Sequence, residues 1–125
     1  MQHSEEFIAL VDDALTRVRT CEISEVKEII DGSDESIIID VRDNHEYEKG
    51  FIPGAIHLSR GLLEVNVIQS FPDKNAHYIL YCGGGNRSAL SADNLQKMGY
   101  QNVLSMNGGF KAWANKGYPI EGYQG

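Results

Sequence analysis

Apolar side chains in the first twenty residues fall on one stripe, Phe7, Val11, Ala14 and Val18, with Ile8 and Leu15 beside it. That spacing predicts an amphipathic helix with Glu5, Glu6, Asp12, Asp13 and Arg17 turned to solvent. A short extended piece is expected at Cys21 to Ile23. A second helix runs from a Ser24 cap through Val26, Ile29 and Ile30 and stops at Gly32. The run SIIIDV, residues 36–41, holds four β-branched apolar residues, three of them consecutive, as expected of a strand buried on both faces. Asp43 followed three residues later by Glu46 marks a helix start, and Gly50 its stop.

A Pro-Gly turn at Pro53-Gly54 leads into a short strand from Ala55 to Leu58. Gly61 to Gln69 is weakly helical, and FPDKN ends it. HYILYC, residues 77–82, reads as another buried strand. Ala89, Leu90, Ala92, Leu95 and Met98 outline an amphipathic helix that closes at Gly99. VLSM (103–106) is a further strand, NGG a turn, and Phe110 to Asn115 a last short helix. Strands alternate with helices and hairpin signals are absent. The fold class is therefore α/β, with a mostly parallel sheet of about five strands and helices on both faces.

Composition narrows the function more than the fold. Hydrophobic residues make up 42% and charged residues 23% of the 125 residues, an ordinary globular balance for one domain. The net charge of −7 disfavours nucleic acid or an anionic membrane surface as partner. It also means that any anionic substrate must be drawn in by local groups. The start of the chain has no basic segment followed by a long apolar run, so neither a signal peptide nor a membrane-spanning helix is expected. The cysteines, Cys21 and Cys82, are too few for a disulfide scaffold and form no CxxC pair, which favours a reducing, cytoplasmic setting. His45, His57 and His77 show no ligand spacing with them, so no metal is expected.

The stretch YCGGGNRSA, residues 81–89, carries the chemistry. Cys82 falls at the carboxyl end of a buried strand, the edge where ligands bind in open α/β sheets, and a helix starts about five residues later. Such a junction offers unpaired backbone N–H groups and the positive end of a helix dipole. Gly83, Gly84 and Gly85 would let those groups converge on an anion without side chains in the way. The same field favours the thiolate of Cys82. Arg87 adds fixed charge and planar donors for a sulfonate- or phosphate-like group, and Ser88 could cap the helix and donate to the sulfur. Taken singly, a free cysteine is more often a buried hydrophobe and a glycine cluster more often a turn. The combination with Arg87 at a strand-to-helix junction favours an activated nucleophile in an anion cradle.

Cys82 to Ser88 resembles the C-x-x-G-x-R-S loop of single-domain rhodaneses, the thiosulfate sulfurtransferase family. DVRDNHEYEKGFIPGAIHL, VLSMNGGFKAW and ISEVKEIID resemble further segments of that family, in the same order. The resemblance covers Cys21 to Pro119, dividing the chain into an N-terminal helix (1–20), which is either an added cap or a surface for a protein partner, and a rhodanese-like domain (21–125). It implies a five-stranded parallel sheet and a cofactor-free ping-pong reaction. Cys82 would take the outer sulfur of thiosulfate or a related persulfide donor and pass it, as a persulfide, to a thiol or cyanide acceptor. Gly83, Gly84, Gly85, Asn86, Arg87 and Ser88 would bind the substrate. The rival cysteine-dependent phosphatases, and with them arsenate chemistry, use five residues between cysteine and arginine. Here only residues 83–86 intervene, and the smaller ring suits a sulfur atom better than a phosphoryl group. Asp40 and Arg42 match family positions but are expected to serve pairing and capping; the chain has no obvious general acid for a phosphatase, with Asp40 or Asp43 left open for that role. Phe51 stands where the family often has histidine, and Trp113 is expected in the core. Arg60 is either a second anion contact or a solvated side chain, and Cys21 is expected to be inert. A binding module without turnover is the alternative from another functional class.

Overall fold

The computed structural model describes residues 3–32 and 34–122; the outermost parts of the 1–20 and 21–125 division, residues 1, 2 and 123–125, lie outside them. The elements run α1 (Glu5–Leu15), β1 (Arg19–Cys21), α2 (Ile23–Asp31), β2 (Ile37–Asp40), α3 (Asn44–Glu48), β3 (Ile56–His57), α4 (Arg60–Ser70), β4 (His77–Tyr81), α5 (Asn86–Lys97), β5 (Asn102–Met106) and α6 (Gly109–Asn115). The five strands form one sheet in the order β1-β5-β4-β2-β3, and every pairing is parallel. The central strand β4 pairs with β2 on one side and β5 on the other. Loops leaving β2 and β4 therefore meet at the carboxyl edge of the sheet.

Strand pleating sorts the core into two layers. Tyr78, Leu80 and Cys82 face the side covered by α4 and α5, together with Ile39, Val41, Leu63, Val67 and Leu95. Ile79 and Tyr81 face the opposite side with Val26, Ile52, Met106 and Trp113, under α2 and α6. Trp113 is fully buried, and its indole N–H donates to the Pro119 carbonyl at 2.8 Å, tying the C-terminal segment down. Cys21 lies in the second layer. Burial, helped by the charges of Glu25 and Glu22, pushes its thiol up to about 12.

Several local expectations are corrected. The extended piece is Arg19–Cys21 and not Cys21–Ile23, because Glu22, not Ser24, caps α2 through a reciprocal capping box with Glu25. The same device, Asp43 with Glu46, starts α3 as expected. Arg17 is not merely solvated: it makes a two-pronged bond to Asp93 of α5, at 3.0 and 2.8 Å, and another to Asp13. With Val11 and Ala14 packed on Ala89 and Leu90, this seats α1 along α5. NGG is more than a turn. Gly109 (φ +60°) begins α6 directly against the β4–α5 loop, and a Cβ there would stand 2.6 Å from the carbonyl oxygens of Cys82 and Gly83.

Two outcomes follow from this packing. Gly109→Ala should lower stability by about 2–4 kcal/mol, from overpacking plus a left-handed backbone; a urea midpoint equal to that of the parent protein would refute the close approach. Cys21 stays protonated throughout pH 7–9, so iodoacetamide should modify the native protein at Cys82 alone, with Cys21 reacting only after unfolding. Peptide mapping that finds native Cys21 labelled at a comparable rate would contradict its raised thiol.

Candidate active site

The site is built where the β2–α3 and β4–α5 loops meet. α6 holds the second loop from beneath: the N–H of Phe110 donates to the Cys82 carbonyl at 2.7 Å, and that of Lys111 to the Gly83 carbonyl at 3.0 Å. In a trans peptide the N–H points opposite to its carbonyl, so the amides of Gly83 and Gly84 face away from α6. The next turn closes over the sulfur. Gly85 N–H donates to Cys82 Sγ at 3.1 Å and Ser88 N–H at 3.3 Å, while the thiol lies 3.5 Å from Ser88 Oγ.

The cap of α5 is Gly85 in the left-handed region (φ 109°), not Ser88, which sits in the first turn. The hydroxyl of Ser88 donates to the Gly85 carbonyl at 3.2 Å and shares a 2.8 Å bond with Ser105, a buried serine on β5. Only the third glycine has a backbone that excludes side chains. A Cβ at Gly84 would enter open space, and one at Gly83 would meet the tip of Arg87 at 3.0 Å. The amides of Gly83, Gly84, Asn86 and Arg87 have no acceptor among the described residues.

Arg87 does not point its fork at the sulfur. Nη1 and Nη2 bond the two oxygens of Glu46 at 2.8 and 3.1 Å, across the mouth of the site. These bonds hold the Glu46 carboxyl below its ordinary value. Its charge therefore persists throughout the neutral range and is lost only as pH falls through that lowered value.

Cys82 is 1% exposed at the floor of a cavity of about 480 Å³, lined also by Gly84, Asn86, Arg87, Glu46, Asp43, His45 and, from the other side, His3 and Phe7. Arg60 lies outside this cavity. It borders an adjoining hollow with Asp43, Glu64 and Arg87. Asp43, His45 and Glu46 bring ligand atoms within 4.8 Å of one another, but Glu46 is committed to Arg87 and Asp43 to the cap of α3.

Asp40 and Arg42 belong to the other face. Asp40 is fully buried and accepts from Arg42 Nε, from Arg42 Nη2 at 2.8 Å and from the Tyr81 hydroxyl at 2.6 Å. Arg42 also donates to the Gly50 carbonyl and stacks 4.1 Å from the Phe110 ring. Burial and the charge of Asp40 raise the Tyr81 phenol well above its ordinary value, so it remains a donor. This network braces the β2–α3 loop. Phe51 stacks on Tyr47 at 4.4 Å and pairs with Glu121 through the backbone; it is not among the residues lining the cavity.

Four contributors were missed in the sequence reading: Glu46 as partner of Arg87, Ser105, and the pair His3 and Phe7. Ser105 had a signal, a polar residue in an otherwise apolar strand. Glu46 had been accounted for as a helix cap, and His3 and Phe7 lie some eighty residues from the loop they face.

A model of the rhodanese-like domain matches residues 22–116. A sulfurtransferase of Allochromatium vinosum is 31% identical over 93 residues, covering 74% of this chain and 85% of that protein. The putative sulfur carrier protein YrkF of Bacillus subtilis is 35% identical over 85 residues, 67% of this chain, and this match spans only 45% of that protein's length. Among solved structures, a Rhodopseudomonas palustris protein of unknown function, possible tyrosine phosphatase, superposes with a TM-score of 0.82 at 32% identity. That superposition covers 97% of this chain and 98% of the other, so it takes in α1, which the family model omits. From the sheet order, the loop after β4 and these matches, the chain belongs to the rhodanese-like domain family.

Proposed function

We propose that this chain is a sulfurtransferase in which Cys82 carries sulfane sulfur as a persulfide, taken from thiosulfate or a related donor and passed to a thiol or cyanide. The observation that carries this reading is the position of Cys82 Sγ, at a cavity floor and bonded by the amides of Gly85 and Ser88. The thiolate attacks the outer sulfur of thiosulfate. The sulfur–sulfur bond of the donor breaks, and its electron pair leaves with sulfite. A persulfide anion remains on Cys82. In this reading the outward amides of Gly83 and Gly84 hold its charge, and the step needs no cofactor. Arg87 assists the donor only by sharing or leaving Glu46.

A phosphatase reading draws on the Rhodopseudomonas relative and on Asp43 at the cavity wall. Asp40 cannot supply the acid, since both its oxygens are bonded deep in the opposite layer. The four residues between Cys82 and Arg87 favour sulfur over a phosphoryl group.

Intact mass after incubation with thiosulfate should show one added sulfur on Cys82, removed by cyanide, and none in Cys82→Ser. Hydrolysis of an aryl phosphate without a sulfur adduct would transfer the site to phosphatase chemistry, and neither activity would favour a binding module. Arg87→Ala should cut kcat/KM for thiosulfate roughly 10- to 100-fold, the loss of one charge-assisted contact. Glu46→Gln keeps Oε1 for the capping box but replaces the Oε2 acceptor and removes the charge opposite Arg87, which loosens the pair and should lower the thiosulfate KM about 3- to 10-fold. A KM unchanged or raised in Glu46→Gln would mean that the pair does not restrain donor binding.

A further inference from the structure

Phe7 and His3 lie outside the family module, residues 22–116, yet they line the same cavity as Cys82. Phe7 is half-buried and rests on the layer formed by Val11, Ala14, Ala89 and Leu90, so it is anchored to the first turns of α5, the helix that carries Arg87. Its amide is held by the Ser4 cap at 3.1 Å, and the His3 ring lies 5.0 Å from its own, centroid to centroid. The wall is therefore a built part of the site and not a passing terminus.

The size and charge of the cavity bear on what it holds. About 480 Å³ is far more than cyanide or an inorganic sulfur anion fills, and lies within the roughly 300–1,000 Å³ typical of sites for organic ligands. The charge of Arg87 is already matched by Glu46, and Asp43 adds a further negative group. Beyond the loop amides, the walls offer no net positive charge to a small dianion. They offer an aromatic face on one side and polar groups, His3, His45 and Asp43, around it.

We propose that α1 completes the site for an organic thiol acceptor, with Phe7 and His3 as the wall that selects it. The proposal rests on the sulfur-transfer reading and names its acceptor class. The acceptor's stem lies on Phe7 and its polar groups reach His3, while its thiolate attacks the outer sulfur of the Cys82 persulfide. The Sγ–S bond breaks, its electron pair returns to Cys82 as thiolate, and the sulfur leaves as the acceptor's persulfide, with no net oxidation. Phe7 and His3 act on specificity and do not touch the reacting sulfur.

The test uses the full chain, thiosulfate as donor, and glutathione and cyanide as acceptors. Phe7→Ala should raise the glutathione KM about 5- to 10-fold, and His3→Ala about 2- to 5-fold, each with a smaller change in kcat. The ratio of kcat/KM for glutathione to that for cyanide should fall in both. Equal losses with both acceptors would indicate a structural role and overturn the proposal; His3 is exposed, so its variant keeps the fold. A second arm compares alkylation of Cys82 by iodoacetamide and by the bulkier iodoacetanilide. Phe7→Ala should change the ratio of the two rates at least 3-fold, and an unchanged ratio removes Phe7 from the entry path. If the parent protein transfers sulfur to neither acceptor, the sulfur-transfer reading fails and takes the acceptor with it, while the alkylation ratio still decides whether Phe7 faces the thiol.

Discussion

Two hydrogen bonds set the geometry on which the site depends, those from the first amides of α6 to the carbonyls of Cys82 and Gly83. A loop rich in glycine has many backbone states, and ordering it costs more than for other residues. The beginning of α6 has donors with no partner within the helix, and the loop has carbonyls to give them. Each satisfies the other. Once the carbonyls are turned toward α6, the planarity of the peptide turns the following amides the opposite way. The close approach of two backbones requires Gly109, and the turn that then brings further amides onto the sulfur requires Gly85.

The sheet divides the labour between its faces. Charges needed for bracing are sunk beneath it: Asp40, Arg42 and Tyr81 saturate one another, and Arg42 fastens the end of the α3 segment through Gly50. Isolated, either charge would be costly to bury; paired and bonded, they hold the β2–α3 loop in place. That loop then delivers Glu46 to Arg87 at the mouth, where both remain partly exposed. One ion pair fixes the scaffold and the other stands at the mouth of the cavity. Their burial separates the two roles.

Much of this was legible in residue order because it is local. The β-branched run at 36–41, the Asp43–Glu46 box and the helix stripe in 89–98 each depend on neighbours a few positions apart, and each appears in the fold. Cys82 at a strand end and the spacing to Arg87 were equally visible. Local competition explains the misplaced caps: Ser24 and Ser88 are good capping residues by type, but a capping box at Glu22 and a left-handed Gly85 hold those places. The remainder was hidden because it is long-range. Gly108-Gly109 looked like a turn, since the need for close approach comes from a loop more than twenty residues earlier. Glu46 on Arg87, Asp93 on Arg17 and Phe7 across the cavity from Cys82 arise only when the β2–α3 loop, the β4–α5 segment and α1 come together. No spacing rule within one element reports such contacts.

The alternation along β4 has a consequence for how this chain can change. Cys82 and Tyr81 are neighbours on opposite faces, one serving the cavity and the other the buried network. Parity alone keeps them apart. One residue inserted or lost within β4 would exchange their sides, dropping a thiol beside Asp40 and lifting a phenol into the loop, even if every hydrophobic contact could be replaced. The same change in the segment before the strand, around Pro72 to Ala76, would leave that phase intact. Length variation is therefore confined to one end of β4, because the strand counts its residues in twos.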